Sequence, residues 1–221
     1  MTSAQHRRIL KRDLFGTVSR VSRNGGPADY VERDTSSARW WARPVARWLA
    51  AREARALQRL DSIPGIPALL NWDGRVLRRS WIDGQPMQRA RPFDPVYFRE
   101  ALRLLRRMHA AGVLHNDLAK EPNWLVTPAG LPALVDFQLA AQPRFRGRLF
   151  KARAHDDLRH LLKHKRSYCA DRLTGRQRRV LARPSLLSAG WARSGKPVYR
   201  FVTRRLLGWS DREGAGDRNL S

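Results

Sequence analysis

HNDLAKEPNWLVTPAGLPALVDFQLA, spanning His115 to Ala140, sets an Asp two residues behind a His and an Asn six residues after that Asp. A second Asp, followed by Phe, closes the apolar run that comes next. Each residue alone has an ordinary reading, since a His can cap a helix and an Asp can end a strand. Taken in order, they fit one chemistry. A carboxylate can orient an attacking hydroxyl and take its proton, while an amide oxygen and a second carboxylate are hard donors suited to magnesium. Asp117 fits the first role, and Asn123 and Asp136 fit the second.

The run resembles the protein-kinase superfamily, and within it the small bacterial kinases of the RIO-like and lipopolysaccharide-kinase (Kdo and heptose kinase) group. His115-Asn116-Asp117-Leu118 is similar to the catalytic-loop motif, Asn123 to the magnesium Asn, and Asp136-Phe137-Gln138 to the Asp-Phe-Gly motif. Lys120 resembles the loop Lys that steadies the transferred phosphate. Two departures stand out. The interval from Asp117 to Asn123 is one residue longer than usual, which predicts a bulge at Lys120-Glu121-Pro122 and leaves Glu121 as a second candidate ligand. Gln138 replaces a Gly, so a flip of this motif should be less accessible, because Gln tolerates fewer backbone conformations.

The resemblance implies an α+β, bilobal fold with a small strand-rich N-lobe over residues 1–84 and a mainly helical C-lobe over 85–221. It also implies ATP and Mg2+ as cofactors, with the γ-phosphoryl group passing to a hydroxyl of a protein Ser/Thr or of a lipopolysaccharide core sugar.

In the first eighty residues, Leu14–Val21 and Asp29–Arg33 read as strands flanking the turn Asn24-Gly25-Gly26-Pro27. By resemblance they are the phosphate-covering strands, with Gly16 the one glycine of that loop. A helix is expected from Pro44 to Leu60, its apolar face formed by Val45, Trp48, Leu49, Ala56, Leu57 and Leu60. Glu53 projects from the margin of that stripe and needs a cationic partner. In the family the equivalent Glu pairs with a strand Lys, but no Lys occurs between Lys11 and Lys120. Arg33 stands at the matching position. It keeps the charge and can form a forked pair with Glu53, though a guanidinium is longer and flatter than an ammonium.

Short strands around Leu69 and Val76-Leu77 lead into Trp81–Pro86, which resembles the hinge between kinase lobes. A helix then runs from the N-cap Asp94 through Pro95, with Leu102, Leu105 and Met108 on one face and Gly112 as terminator. Beyond Asp136, the interval Leu139 to His155 looks like an activation segment. It has no Ser, Thr or Tyr to phosphorylate and no acid, but it carries Arg144, Arg146, Arg148, Lys151 and Arg153. Such a segment suits an anionic acceptor. Asp156-Asp157 opens another helix, and Asp157 either caps it or braces the catalytic loop. His155, His160 and His164 lack the further ligand that a zinc site needs.

The 38 Arg and 6 Lys against 19 acidic residues give a net charge of +25 over 221 residues. That excess implies a polyanionic partner: nucleic acid, anionic lipid head groups or a phosphorylated glycolipid. No nucleic-acid motif with interleaved aromatics is visible, so nucleic acid ranks behind the others. The last forty residues mix aromatics, leucines and arginines and suit either an anionic membrane face or the core. With no apolar span and no secretory leader pattern, the expected location is cytoplasmic, with a peripheral contact at the inner membrane face. The single Cys169 excludes an internal disulfide and reads as a packing residue. A second class of reading stays open: a catalytically inactive kinase-fold scaffold whose basic surface binds nucleic acid, ribosomes or an anionic membrane.

Overall fold

The structure, a computed structural model, describes residues 5–23 and 28–182. It is α+β. β1 (Gln5–Asp13), β2 (Gly16–Arg23) and β3 (Ala28–Asp34) form an antiparallel meander. β5 (Val76–Ser80) pairs with β3, and β4 (Leu69–Trp72) closes the sheet in the order β1-β2-β3-β5-β4. β2 and β3 pair as expected, whereas the turn Asn24–Pro27 lies outside the described residues. The strand expected from Leu14 instead begins at Gly16, because Leu14 and Phe15 make the two-residue turn between β1 and β2. β1 itself gave no sign in the sequence. It is an edge strand exposed from His6 to Arg12, so its side chains are mostly charged and do not alternate.

α1 (Arg43–Arg59) matches the expected helix to within a residue, and Ala56, Leu57 and the adjoining Leu60 are buried as expected, but the first half of the expected face is not. Its buried positions are Ala46, Ala50, Glu53, Ala54, Ala56 and Leu57, while Val45 and Trp48 are exposed. The alanines explain the choice. Ala50 and Ala54 pack on Leu77 of β5, with Leu69 and Trp72 alongside, and small side chains let helix and sheet approach closely. Glu53 is therefore in the middle of the buried face and not at its margin.

α3 (Pro95–Ala110) begins where the sequence says it should, with the Asp94 carboxylate accepting from Val96 N at 2.7 Å and Pro95 in the first turn. It ends in a Schellman cap: Gly112 N donates to His109 O and Val113 N to Met108 O, with Gly112 at φ +78°. Ahead of α3, the short α2 (Met87–Ala90) follows β6 (Gln85–Pro86). β6 is the first strand of a second sheet, completed by β7 (Trp124–Val126) and β8 (Pro132–Leu134) in the order β6-β7-β8.

Beyond them, α4 (Arg148–Tyr168) starts eight residues before the helix start expected at Asp156. Arg, Leu, Lys and Ala are good helix formers, and they carry the helix back to Gly147. α5 (Gly175–Ala182) ends the described chain. The expectations for Trp191–Arg193, for Tyr199–Trp209 and for the tail after Asp211 lie outside the described residues.

One core joins these parts. Leu57 of α1 and Leu60 just after it, Tyr97, Leu105 and Met108 of α3, and Leu161 of α4 share a cluster with Leu118, Trp124, Leu134 and Phe137, all nearly or fully buried. Each such side chain contributes about 1.5–3 kcal/mol. Cys169 lies in the same core. Leu118 and Phe137 thus anchor both ends of the 115–140 run from within. Among the described residues, no helix is long and apolar enough to cross a membrane.

Candidate active site

The loop between α3 and β7 is held by groups that leave it little freedom. Asp157, buried mid-helix on α4, accepts from His115 N at 3.0 Å and Asn116 N at 3.1 Å, and His109 Nε2 lies 3.1 Å from the same carboxylate. Its position inside α4 excludes the helix-capping role and leaves the bracing one. His164, also on α4, bonds Leu118 O through Nε2 at 2.8 Å, and burial pushes its imidazole below the ordinary value. His115 is fully buried against the Phe137 ring, with Nε2 3.0 Å from Val135 O. The loop and the Asp136 turn are therefore one unit.

Within that frame, Asn123 reaches Asp117. Its Nδ2 donates to Asp117 O at 2.9 Å and to Asp117 Oδ2 at 3.1 Å, so its amide oxygen faces away from these two acceptors. Lys120 Nζ approaches Asp117 Oδ2 at 2.9 Å. The extra residue of the loop is absorbed by a single 3₁₀ turn, Glu121–Asn123, containing Pro122. Glu121 is directed elsewhere, accepting from Tyr168 OH at 2.7 Å. Of the two candidate ligands in the bulge, only Asn123 is hydrogen-bonded to Asp117.

Asp136 follows at φ +64°, a left-handed conformation uncommon for a residue other than Gly. Gln138 Nε2 donates to its Oδ1 at 2.6 Å. Burial by itself would raise this carboxyl, yet Arg33, Gln138, His115 and Arg79 together hold it below its ordinary value and keep it ionised. The arginines arrive by strand alternation. Arg33 pairs in register with Leu77 and Val31 with Arg79, so both guanidinium side chains share the sheet face that meets α1. Glu53 there is fully buried, with Oε2 3.4 Å from Arg33 Nε and Oε1 3.2 Å from Arg79 Nε.

The expected fork between Arg33 and Glu53 is not made. Each arginine instead lends one nitrogen to one oxygen, and neither Glu53 oxygen completes a hydrogen bond. Two cations and two carboxylates thus stand together where the family pattern has one Lys, one Glu and one Asp. Arg79 was not foreseen, because a pair such as Arg78-Arg79 does not reveal which member points inward. Arg78 takes the other face and bonds Glu32 at 2.8 Å. Arg52 of α1 was also unforeseen. It donates to Leu139 O at 3.1 Å and Ala140 O at 2.9 Å, tying the helix that carries Glu53 to the turn after Asp136.

Gly16 sits at the β1–β2 turn with φ +120°, and a Cβ there would lie 2.1 Å from Asp34 O. That crowding requires glycine without any ligand. The neighbouring Phe15 N is bonded to Asp13 Oδ1 at 2.8 Å.

The donor set fits magnesium. Among the described residues, no three His, Cys, Asp or Glu side chains converge on one point, but magnesium needs only one or two carboxylates when phosphates and water complete its shell. Asp136 supplies an ionised oxygen and Asn123 an amide oxygen. No family model matches this chain, and no curated protein matches it.

Proposed function

We propose that the protein is an ATP-dependent phosphotransferase with a bilobal, protein-kinase-like arrangement, residues 1–84 forming the smaller lobe and 85–221 the larger. The carrying observation is the Asn123 amide, which bonds both the backbone and the side chain of Asp117 while its loop is joined to the turn of Asp136. A packing role does not call for a carboxylate, an amide and a second ionised carboxylate in that order.

Asp117 orients the acceptor hydroxyl and takes its proton. Lys120, beside it, balances charge on the transferred group. Asn123 and Asp136 are the residues that would hold magnesium, which when bound neutralises phosphate charge. Arg33, fixed by Glu53, faces the phosphates, and Arg79 adds a second cation. The acceptor is the hydroxyl of a protein Ser/Thr or of a lipopolysaccharide core sugar, and the acid-free segment from Phe137 to His155 favours one that already carries negative charge.

One observation favours the scaffold reading instead. The β1–β2 turn has a single glycine that its own packing demands, and one of its few backbone donors is already taken by Asp13. A single experiment separates the two readings: transfer of labelled γ-phosphate from ATP and magnesium into protein and lipopolysaccharide fractions, comparing wild type with Asp117→Asn and Asp136→Asn. The phosphotransferase reading expects label in one fraction, falling at least about a thousandfold in both variants. Transfer no greater than in the variants, from folded protein, would favour the scaffold.

A further inference from the structure

Helix α1 turns Val45 and Trp48 away from the protein, while its Leu57 is buried in the core. Val45, Trp48, Arg52, Arg55 and Arg59 follow one another at steps of three and four, which places them on a single stripe, and Trp41 extends that stripe into the preceding turn. Trp48 is 53% exposed, and Trp40, next to Trp41, is 79% exposed. The Val and Trp side chains of such a stripe would ordinarily be sought on the buried face of an amphipathic helix. Here the alanines hold that place, and the indoles face outward.

The charge around the stripe has one sign. From Thr35 to Arg52 there are arginines at 39, 43, 47 and 52 and no acid. Arg153 of α4 lies within electrostatic reach of Arg52, and Arg146 and Arg59 both crowd Gly112. The second acid-free stretch, Phe137 to His155, therefore adjoins the first, and it brings the exposed Leu149. Indole rings and aliphatic side chains among guanidinium groups, with no carboxylate within either stretch, form the pattern that settles at a bilayer interface.

We infer that the outer face of α1, centred on Trp40, Trp41, Val45 and Trp48, docks the protein on an anionic phospholipid surface. Rings lie among the upper acyl chains and glycerol groups, and Arg47 and Arg55 meet the head-group phosphates. Single-stranded nucleic acid fits less well. Base stacking needs an open ring face, and the Arg52 guanidinium already covers that of Trp48 at 4.5 Å. Val45 and Leu149 also offer nothing to a base, whereas they add to burial in lipid. The inference stands apart from the phosphotransferase reading, because docking requires neither ATP nor magnesium.

The test is flotation of the full chain with vesicles of phosphatidylglycerol and phosphatidylethanolamine, or of phosphatidylcholine alone. Binding is expected to the anionic vesicles and to weaken as salt rises. Trp40→Ala with Trp41→Ala should reduce it by about tenfold, and Arg47→Glu with Arg55→Glu by about a hundredfold. All four side chains are exposed, so the helical circular dichroism should be unchanged in both double variants.

Anionic-vesicle binding that both variants retain would place lipid contact elsewhere in the chain and overturn the inference. So would equal binding to phosphatidylcholine. Absence of vesicle binding, together with single-stranded RNA binding that the same variants lose, would overturn it in favour of a nucleic-acid face.

Discussion

The two turns that border the candidate site are built in opposite ways. The loop from His115 to Asn123 is braced on several sides: Asp157 takes two of its backbone N–H groups, His164 bonds its Leu118 carbonyl, and its buried Leu118 is part of the core. The turn from Asp13 to Gly16 joins an exposed edge strand to the sheet and is held by the Asp13 carboxylate, which accepts from Phe15 N and pairs with Lys11. In the proposed phosphotransferase, acid–base and metal chemistry would need positions fixed within fractions of an ångström, and the bracing lies on that side. Arg33 and Arg79 flank Glu53 on the sheet floor, whereas a backbone donor of the β1–β2 turn is already taken by Asp13.

The sharpest way to break this contrast is Asp157→Ala. It strands the buried N–H of His115 and removes the partner of the part-buried Asn116 N–H, and it should lower stability by about 3–5 kcal/mol in urea unfolding and abolish transfer in what remains folded. Next come Arg33→Met and Arg79→Met, each leaving Glu53 buried with one cation. Each should cost about 1–3 kcal/mol, and each should raise the KM for ATP by about tenfold or more. The larger kinetic loss is expected for Arg33, whose charge is the strongest of those holding Asp136 ionised.

A gentler probe is pH. Burial holds His164 below its ordinary 6.5, so the native form carries the neutral ring. Its stabilisation is complete above about pH 6.5 and declines as the pH falls through the folded value, with His160 shifted in the same direction. His164→Gln should flatten part of that slope in melts recorded from pH 7 downward. Asp13→Ala, at the lightly held turn, should change stability by no more than about 1 kcal/mol.

The neighbourhood of the braced half was legible in the sequence, because Asp117, Asn123 and Asp136 lie within one short run whose two ends the core holds together. Helix α3 was legible for a similar reason, since Asp94, Pro95 and Gly112 are local punctuation. What escaped notice depends on partners far along the chain. Arg79 faces inward only because β5 pairs with β3 in a particular register. The face of α1 was misjudged because Val45 and Trp48 look like core residues. The sheet instead selects alanines for close approach. β1 has no apolar alternation because it is exposed on the sheet edge among the described residues, and α4 begins early in a stretch whose arginines favour helix as readily as loop. Asp157 was ambiguous until its depth in α4 decided between two roles.

The carbonyl of Leu139 accepts from Asn116 Nδ2 and from Arg52 Nη2, so a single oxygen knots together the loop, the turn and the helix that carries Glu53. None of the three can swing away without undoing the knot. The adjoining Leu139–His155 stretch contains no hydroxyl on which a modifying enzyme could write a signal. In the proposed phosphotransferase, loop, turn and helix would move together or not at all.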